Sequence, residues 1–386
     1  MSRHVSDARP WTVEVVELSG PSELDDWRAD WTRLALDVDK GFFRSWEWSA
    51  AWMATFEPHS PLRLIVATDD ESVIGLLPLV ETRRPLHHRL PVGIPLTMIV
   101  GSGEGAADHV GCLATDPAVI GDLYGALAAL TVRENLHLSH LDPVDTAAAA
   151  RALAGRGSFT ELTPTPWLDL AGASTLENLW PKKMTKEVRR RERRMEEAGV
   201  GRWWSKLTPE LSGRLDDLKR LHTERWQSKG GAGLFGDDRV RLFTRLAALC
   251  ADQPDQGAWL QVLEGADGPI GMQMGLRFGS RYGIIKSGWV PAAKALAPGQ
   301  LLHAGGIEWA LAHGVSRYDF LRGAEPYKYR LGAVDEMAGS LLRPRRISGW
   351  ALQARNEVER WVEERDARKR QDDGLNRPDH TPGSSG

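Results

Sequence analysis

A chain of 386 residues is too long for one small core, and 42% apolar with 26% charged side chains is ordinary for a globular protein, so two domains are expected. No run approaches the ~18 apolar residues of a bilayer-crossing helix, MSRHVSDARPW has no apolar export core, and Cys112 and Cys250 lack metal-like spacing. The expectation is a cytoplasmic protein with no membrane contact and no bound metal, and a net charge of −3 argues against a DNA binder. Charge is nonetheless uneven. Residues 182–194 hold eight basic and two acidic side chains, a net +6 that leaves −9 for the remainder. Such an island reads as an address for an anion.

In chain order, periodicity predicts a strand at Trp11–Leu18, a helix at Pro21–Leu36 and an aromatic-rich helix at Ser45–Phe56. Two strands follow, Leu62–Thr68 and Ser72–Glu81, around a polar turn. A looser region with further strands runs to Leu113. Then come a helix at Pro117–Val132, a strand at Leu136–Leu141 and a helix at Asp145–Leu153. The basic helix spans 182–198.

The second half repeats the order, with helices at Pro209–Gln227 and Asp237–Ala251 and strands at Ala258–Leu263, Pro269–Phe278 and Arg281–Val290. A helix at Gly299–His313, a strand at Arg317–Leu321, a short helix at Glu325–Arg330 and a strand at Glu336–Leu342 complete it. LIVATDDESVIGLLPL (64–79) overlays LQVLEGADGPIGMQMG (260–275) without a gap, at an offset of 196. Matching element order and matching residues together indicate an internal duplication. The reading is an α/β protein of two similar halves, 11–172 and 173–346, followed by a charged helix at 347–370 and a disordered polar tail at 371–386.

Two stretches carry candidate chemistry. Where a loop enters the helix at Gly299, the amides of Gly299, Gln300 and Leu301 would stand unpaired at a helix start, a setting that suits an anion. YDFLRGAEPYKYRLG (318–332) places Asp319, Arg322, Glu325, Tyr327 and Lys328 at the end of a buried strand. Charges there are costly unless paired or used. GSGEGAAD (101–108) precedes no helix and KGGAGLFG (229–236) lacks the GK[ST] ending, so neither is a nucleotide loop. His137 and His140, three apart on a strand, would face opposite sides rather than share a metal.

Asp319-Phe320-Leu321-Arg322-Gly323 followed by Tyr327-Lys328-Tyr329-Arg330-Leu331-Gly332 resembles the "DF-x-G … (Y/F)K-x-x-(F/W)G" signature of the CelD-like acetyltransferase domain, related to the FemABX peptidyltransferases within the GNAT superfamily. Leu331 stands where an aromatic is more usual. Phe43-Arg44-Ser45-Trp46-Glu47-Trp48 resembles that family's "F-x-S-x-x-W" opening, Lys182–Arg194 its basic helix, and Pro298-Gly299-Gln300-Leu301-Leu302 its "PG-x-L-L" helix start. The resemblance implies tandem GNAT-like domains and an N-acyltransferase that uses acyl-CoA as co-substrate and a sugar, peptide or small-metabolite amine as acceptor. It also implies roles. Asp319 or Glu325 would accept a proton, Lys328 would stabilise negative charge and Tyr327 would protonate the leaving group. The donor would lie along Lys286, Ser287, Gly288 and Trp289 and on Gly299, Gln300, Leu301 and Leu302. The acceptor, or a phosphate, would meet Trp48, Lys186, Arg189, Arg190 and Trp226. Lys328→Ala is then expected to cut turnover by orders of magnitude and leave the fold intact. A tRNA-dependent aminoacyl transferase and a non-catalytic binding protein on the same fold are the alternatives.

Overall fold

The computed structural model describes residues 9–70, 72–85, 93–103, 107–155, 159–228 and 235–345. The expected helix at 347–370, the tail and most of KGGAGLFG lie outside those residues. The first half runs β1 (Trp11–Leu18), α1 (Arg28–Val38), α2 (Trp46–Phe56), β2 (Leu62–Asp69), β3 (Ser72–Pro85), β4 (Gly93–Ile99), α3 (Pro117–Leu130), β5 (Leu136–Leu141), α4 (Pro143–Ala152) and β6 (Phe159–Asp169). The second runs α5 (Leu176–Leu179), α6 (Lys182–Glu197), β7 (Gly201–Lys206), α7 (Arg214–Gln227), α8 (Asp237–Leu249), β8 (Gly257–Gly265), β9 (Gly268–Phe278), β10 (Arg281–Trp289), α9 (Pro298–Ala312), β11 (Arg317–Asp319), α10 (Pro326–Arg330) and β12 (Val334–Arg343). Among the described residues no helix is long and apolar enough to cross a membrane.

The helix starts follow from local chemistry. Ser45, Asp116 and Asp142 accept first-turn amides of α2, α3 and α4, while Pro117 and Pro143 occupy N1, where no N–H is needed. Pro21–Trp27, expected to be α-helical, is a 3-10 turn, and α1 begins only at Arg28.

The twelve strands of the described residues form one sheet, in the order β1-β2-β3-β4-β5-β12-β6-β11-β10-β9-β8-β7. Each half builds an antiparallel meander, β1 to β4 and β7 to β10, then adds one parallel neighbour, β5 beside β4 and β11 beside β10. The strand that closes each half comes from the other. β12 pairs with β5, β6 pairs with β11, and β6 and β12 pair with each other at the centre. A cut at 172/173 divides the sequence at this point, whereas the hydrogen bonds trade the last strand across it.

The duplication is visible down to an irregularity. The β2–β3 ladder slips at Ala67/Thr68 and the β8–β9 ladder slips at Leu263/Glu264. These two bulges are 196 residues apart, the offset of the sequence overlay.

Two strands escaped periodicity. β7 is a short edge strand, and β6 carries Pro164 and Pro166, which ordinarily argue against a central strand. Both prolines face the side where β11 has ended. Their carbonyls accept from Gly323 and Phe320, 3.0 Å each, and no ladder there requires their missing N–H.

Residues 1–172 and 173–386, expressed separately, each lack the strand that closes their own half-sheet. Neither fragment is expected to show a cooperative thermal transition by circular dichroism, whereas the full chain melts cooperatively.

Candidate functional site

β10 and β11 pair over only Arg281–Gly283 and Arg317–Asp319. β11 then stops while β10 continues to Trp289, bulged between Ile284 and Lys286 against β9. The two strands splay, and the wedge exposes one edge of β10. Helix α7 closes the floor by approaching Gly288, where a Cβ would stand 2.3 Å from the His222 nitrogen.

The other lip of the wedge is a strained turn. Leu321, a non-glycine residue, sits at φ 57°, a conformation that persists only where its surroundings hold it. Asp319 Oδ1 accepts the Leu321 amide at 2.8 Å. The Lys328 ammonium donates to the carbonyls of Leu321, Arg322 and Gly323 at 2.8, 2.9 and 2.9 Å, and lies 2.9 Å from Glu325. Asp108, from the first half, accepts the Arg322 amide at 3.0 Å. The acidic and basic ends of the DFLRG…YK stretch thus clamp one turn from both sides.

Two cavities meet beside this turn. One, of about 680 Å³, is lined by Met184, Trp289, Lys294 and the α9 start, Ala297–Gln300. The other, of about 430 Å³, fills the wedge between Ile284–Ser287 and Phe320–Arg322. They share Arg225, His303 and Tyr327. Arg225 lies 3.5 Å over the Trp289 ring and donates to Ser287 Oγ at 3.1 Å. Tyr327 stacks on His303 with ring centroids 4.8 Å apart.

Burial sets the protonation of this junction. It pushes the Tyr327 phenol up to about 12, with Glu325 adding to the rise. It lowers His303 to about 3, helped by Arg225 and Lys328, and His222 to about 4. Both imidazoles are therefore neutral. His222 Nδ1 faces the Ser287 carbonyl at 3.2 Å, which requires the proton on Nδ1 and leaves Nε2 as an acceptor.

Of the residues expected from sequence, Lys286, Ser287, Glu325, Tyr327, Lys328 and Trp226 line the wedge, and Trp289, Gly299 and Gln300 line the larger cavity. The others stand elsewhere. Asp319 lines neither space. Its carboxylate is 2.9 Å from His109 and 3.2 Å from Arg317, on the opposite face of β11 from Tyr318 and Phe320, so it is a buried structural anion. Lys328 reaches the wedge, but its donors are spent on the turn. The Leu301 and Leu302 side chains are core, and Gly288 is buried under α7. The amides of Gln300 and Leu301 bond the Ala297 carbonyl, leaving that of Gly299. Trp48 is wholly buried, its indole N–H on the Gly101 carbonyl at 3.1 Å. Arg189 and Arg190 are spent on Glu192, Glu308 and Glu187, and Lys186 is exposed away from both cavities.

Sequence reasoning missed Arg225, His222, His303 and Asp108. Arg225 adjoins the predicted Trp226 and His303 lies one turn into the predicted α9, so both stood beside a signal. Asp108 meets Arg322 across 214 residues, and no local spacing announces that.

The corresponding opening in the first half is plugged. Val110–Leu113 bridges β5 through Leu141 and β3 through Leu76. Arg44, buried, donates to the carbonyls of His109, Val110 and Cys112 and pairs with Asp145 at 2.8 Å. This plug carries Asp108 and His109 to the second half's turn.

Residues 182–329 match the family model described as an acetyltransferase (GNAT) domain. Among solved structures, FemX shares 11% identity at a TM-score of 0.58, over 86% of this chain and 97% of that one. The C-terminal domain (DUF2156) of a putative lysylphosphatidylglycerol synthetase from Agrobacterium fabrum shares 10% at 0.53, over 87% and 96%. L-PGS from Bacillus licheniformis shares 11% at 0.52, over 88% and 96%. At these identities the shared property is the fold. No curated protein matches the chain.

Two predictions follow from the turn. Lys328→Met strips three carbonyls of their donor and is expected to cost about 1–3 kcal/mol in urea unfolding, so the fold is not spared. The second concerns pH. Burial opposes charge on His109, yet Asp319 raises its pKa above 6.5. Burial likewise opposes charge on Asp319, which His109 and Arg317 hold below 3.8. The His109 contribution is full below pH 6.5 and is lost as pH rises through the raised native value; that of Asp319 is full above 3.8 and is lost on acidification below it. Wild-type stability should therefore decline from pH 6.5 upward in chemical denaturation, and His109→Gln should flatten that decline.

Proposed function

We propose, from the premise that this chain belongs to the FemABX-related GNAT-like superfamily, that it is an N-acyltransferase moving an acyl group, acetyl in the simplest case, from acyl-CoA to an amine. The observation that carries this reading is the meeting of two cavities at Arg225, His303 and Tyr327. One has a helix start at its wall and the other an exposed strand edge. A thioester in the first and an amine in the second would bring their reacting atoms together at that junction, and positioning of this kind supplies much of the rate of acyl transfer.

The donor's pyrophosphate would lie against the Gly299 amide and the positive end of α9, and its pantetheine arm past Trp289, the β10 residue that lines the same cavity. The amine nitrogen attacks the thioester carbonyl carbon, the C–S bond breaks, and the nitrogen gives up a proton. Glu325, at the wedge, is positioned to take that proton. Tyr327, protonated at neutral pH, supplies one to the departing thiolate. Asp319 and Lys328 are positioning residues that hold the turn bearing Phe320, Leu321 and Arg322. The first half supplies a wall through Asp108. The division into units at 11–172 and 173–346 is kept as a reading of the chain, with closing strands exchanged.

A second reading, transfer from an aminoacyl-tRNA, is favoured by one feature. Lys182, Lys183, Lys186, Arg193 and Arg194 of α6 are exposed and form no ion pair among the described residues, and Met184 of the same helix lines the larger cavity.

Calorimetry with acetyl-CoA tests the donor. Saturable acetyl-CoA binding supports the first reading; steeply salt-dependent tRNA binding without acetyl-CoA binding supports the second, by counterion release. Binding of neither would favour a non-catalytic protein. With an accepted amine, Tyr327→Phe is expected to lower kcat by about 10²-fold or more with little change in KM for the donor, and Glu325→Gln to do likewise.

A further inference from the structure

The wedge cavity has an unusual charge balance. Six ionic side chains line it: Asp108, Arg225, Lys286, Arg322, Glu325 and Lys328. Four of them cancel in pairs, Arg322 with Asp108 at 3.2 Å and Lys328 with Glu325 at 2.9 Å. Two cations remain. Arg225 forms no ion pair among the described residues; its partners are the Ser287 oxygens and the Trp289 ring. Lys286, at the β10 bulge, lines the cavity and forms neither a hydrogen bond nor an ion pair among the described residues. Burial, and after it Arg239 and Arg322, lower the Lys286 pKa to about 8 against the opposing pull of Asp108 alone, so the neighbouring protein charge on balance disfavours the ammonium. An uncompensated cation in a half-buried cavity is costly, and a bound anion removes that cost.

We infer that the acceptor amine carries an anionic group, a carboxylate or a phosphate, and that Lys286 and Arg225 bind it in the wedge. The identity of this ligand as acceptor rests on the acyl-transfer reading; the anion site does not. The donor's phosphates are poor candidates for Lys286, because that residue lines the wedge alone and not the cavity at the α9 start. The inference narrows the acceptor from any amine to amines of the amino-acid or aminoalkyl-phosphate type. Two cations flanking the splayed strands hold the anionic end, which leaves the amine free to reach the junction at Tyr327.

Calorimetry on the full chain provides the test, with O-phosphoethanolamine against ethanolamine and β-alanine against β-alaninamide. At least one anionic probe is expected to bind roughly tenfold or more tighter than its neutral partner. Lys286→Met should erase that preference and Lys286→Arg should retain it, with unchanged thermal unfolding of both variants. Whichever pair discriminates more strongly distinguishes phosphate from carboxylate. Equal binding of charged and neutral partners, binding of neither, or an undiminished preference in Lys286→Met overturns the inference. If Lys286→Met fails to fold, the wild-type comparison decides. Acetyl-CoA titrated in parallel separates the two claims: an intact anion preference without acetyl-CoA binding overturns the donor assignment alone.

Discussion

The site exists because two parallel strands part company after three residues, and what holds them apart is a left-handed turn at a leucine. Such a turn does not persist on its own conformational preference. Here the Asp319 carboxylate secures the Leu321 amide and the Lys328 ammonium secures three successive carbonyls, so the turn is overdetermined. Remove either clamp and the wedge loses a lip. Asp319 and Lys328, the acidic and basic ends of the signature stretch, therefore build the turn rather than stand free in the cavities. Beside the turn, where the two cavities meet, stand a protonated Tyr327 and a neutral His303.

The turn is also where the halves are joined. Asp319 is paired with His109 and Arg322 with Asp108, both from the segment that fills the first half's own opening. One duplicated unit has closed its wedge with a plug pinned by Arg44 and used the plug to brace the wedge of the other. Exchange of β6 and β12 makes the arrangement obligatory, since each half-sheet is closed by its partner's strand. One half thus has an open wedge and the other a filled one.

Electrostatics along α6 illustrates how composition can mislead. The eight cations between 182 and 194 read as a single positive field. In the fold, Arg189, Arg190 and Arg191 are matched with Glu192, Glu308 and Glu187, two of them on the helix itself and one on α9. The uncompensated positive charge at the wedge comes instead from Arg225 and Lys286, neither of which belongs to a charge run.

By itself the sequence determined most of the element order, though not β6 or β7, together with the two-fold repeat and its offset and the stretch that would form the strand-end turn. These rest on local properties: apolar period, caps, prolines and glycines at turns. The β2–β3 and β8–β9 hairpins are legible because their hydrogen bonds join near neighbours. Only the tertiary structure decided the roles of particular side chains. Trp48 and Asp319 look like site residues in the linear string, because an aromatic or a carboxylate beside a motif carries no mark of the face it occupies. Their burial is fixed by packing against residues tens to hundreds of positions away. Strand exchange across the centre was equally hidden, since β6 with its two prolines is acceptable as a central strand only where β11 has already turned aside. Pairing of that kind depends on what lies on each side of a strand in space, which no local pattern records.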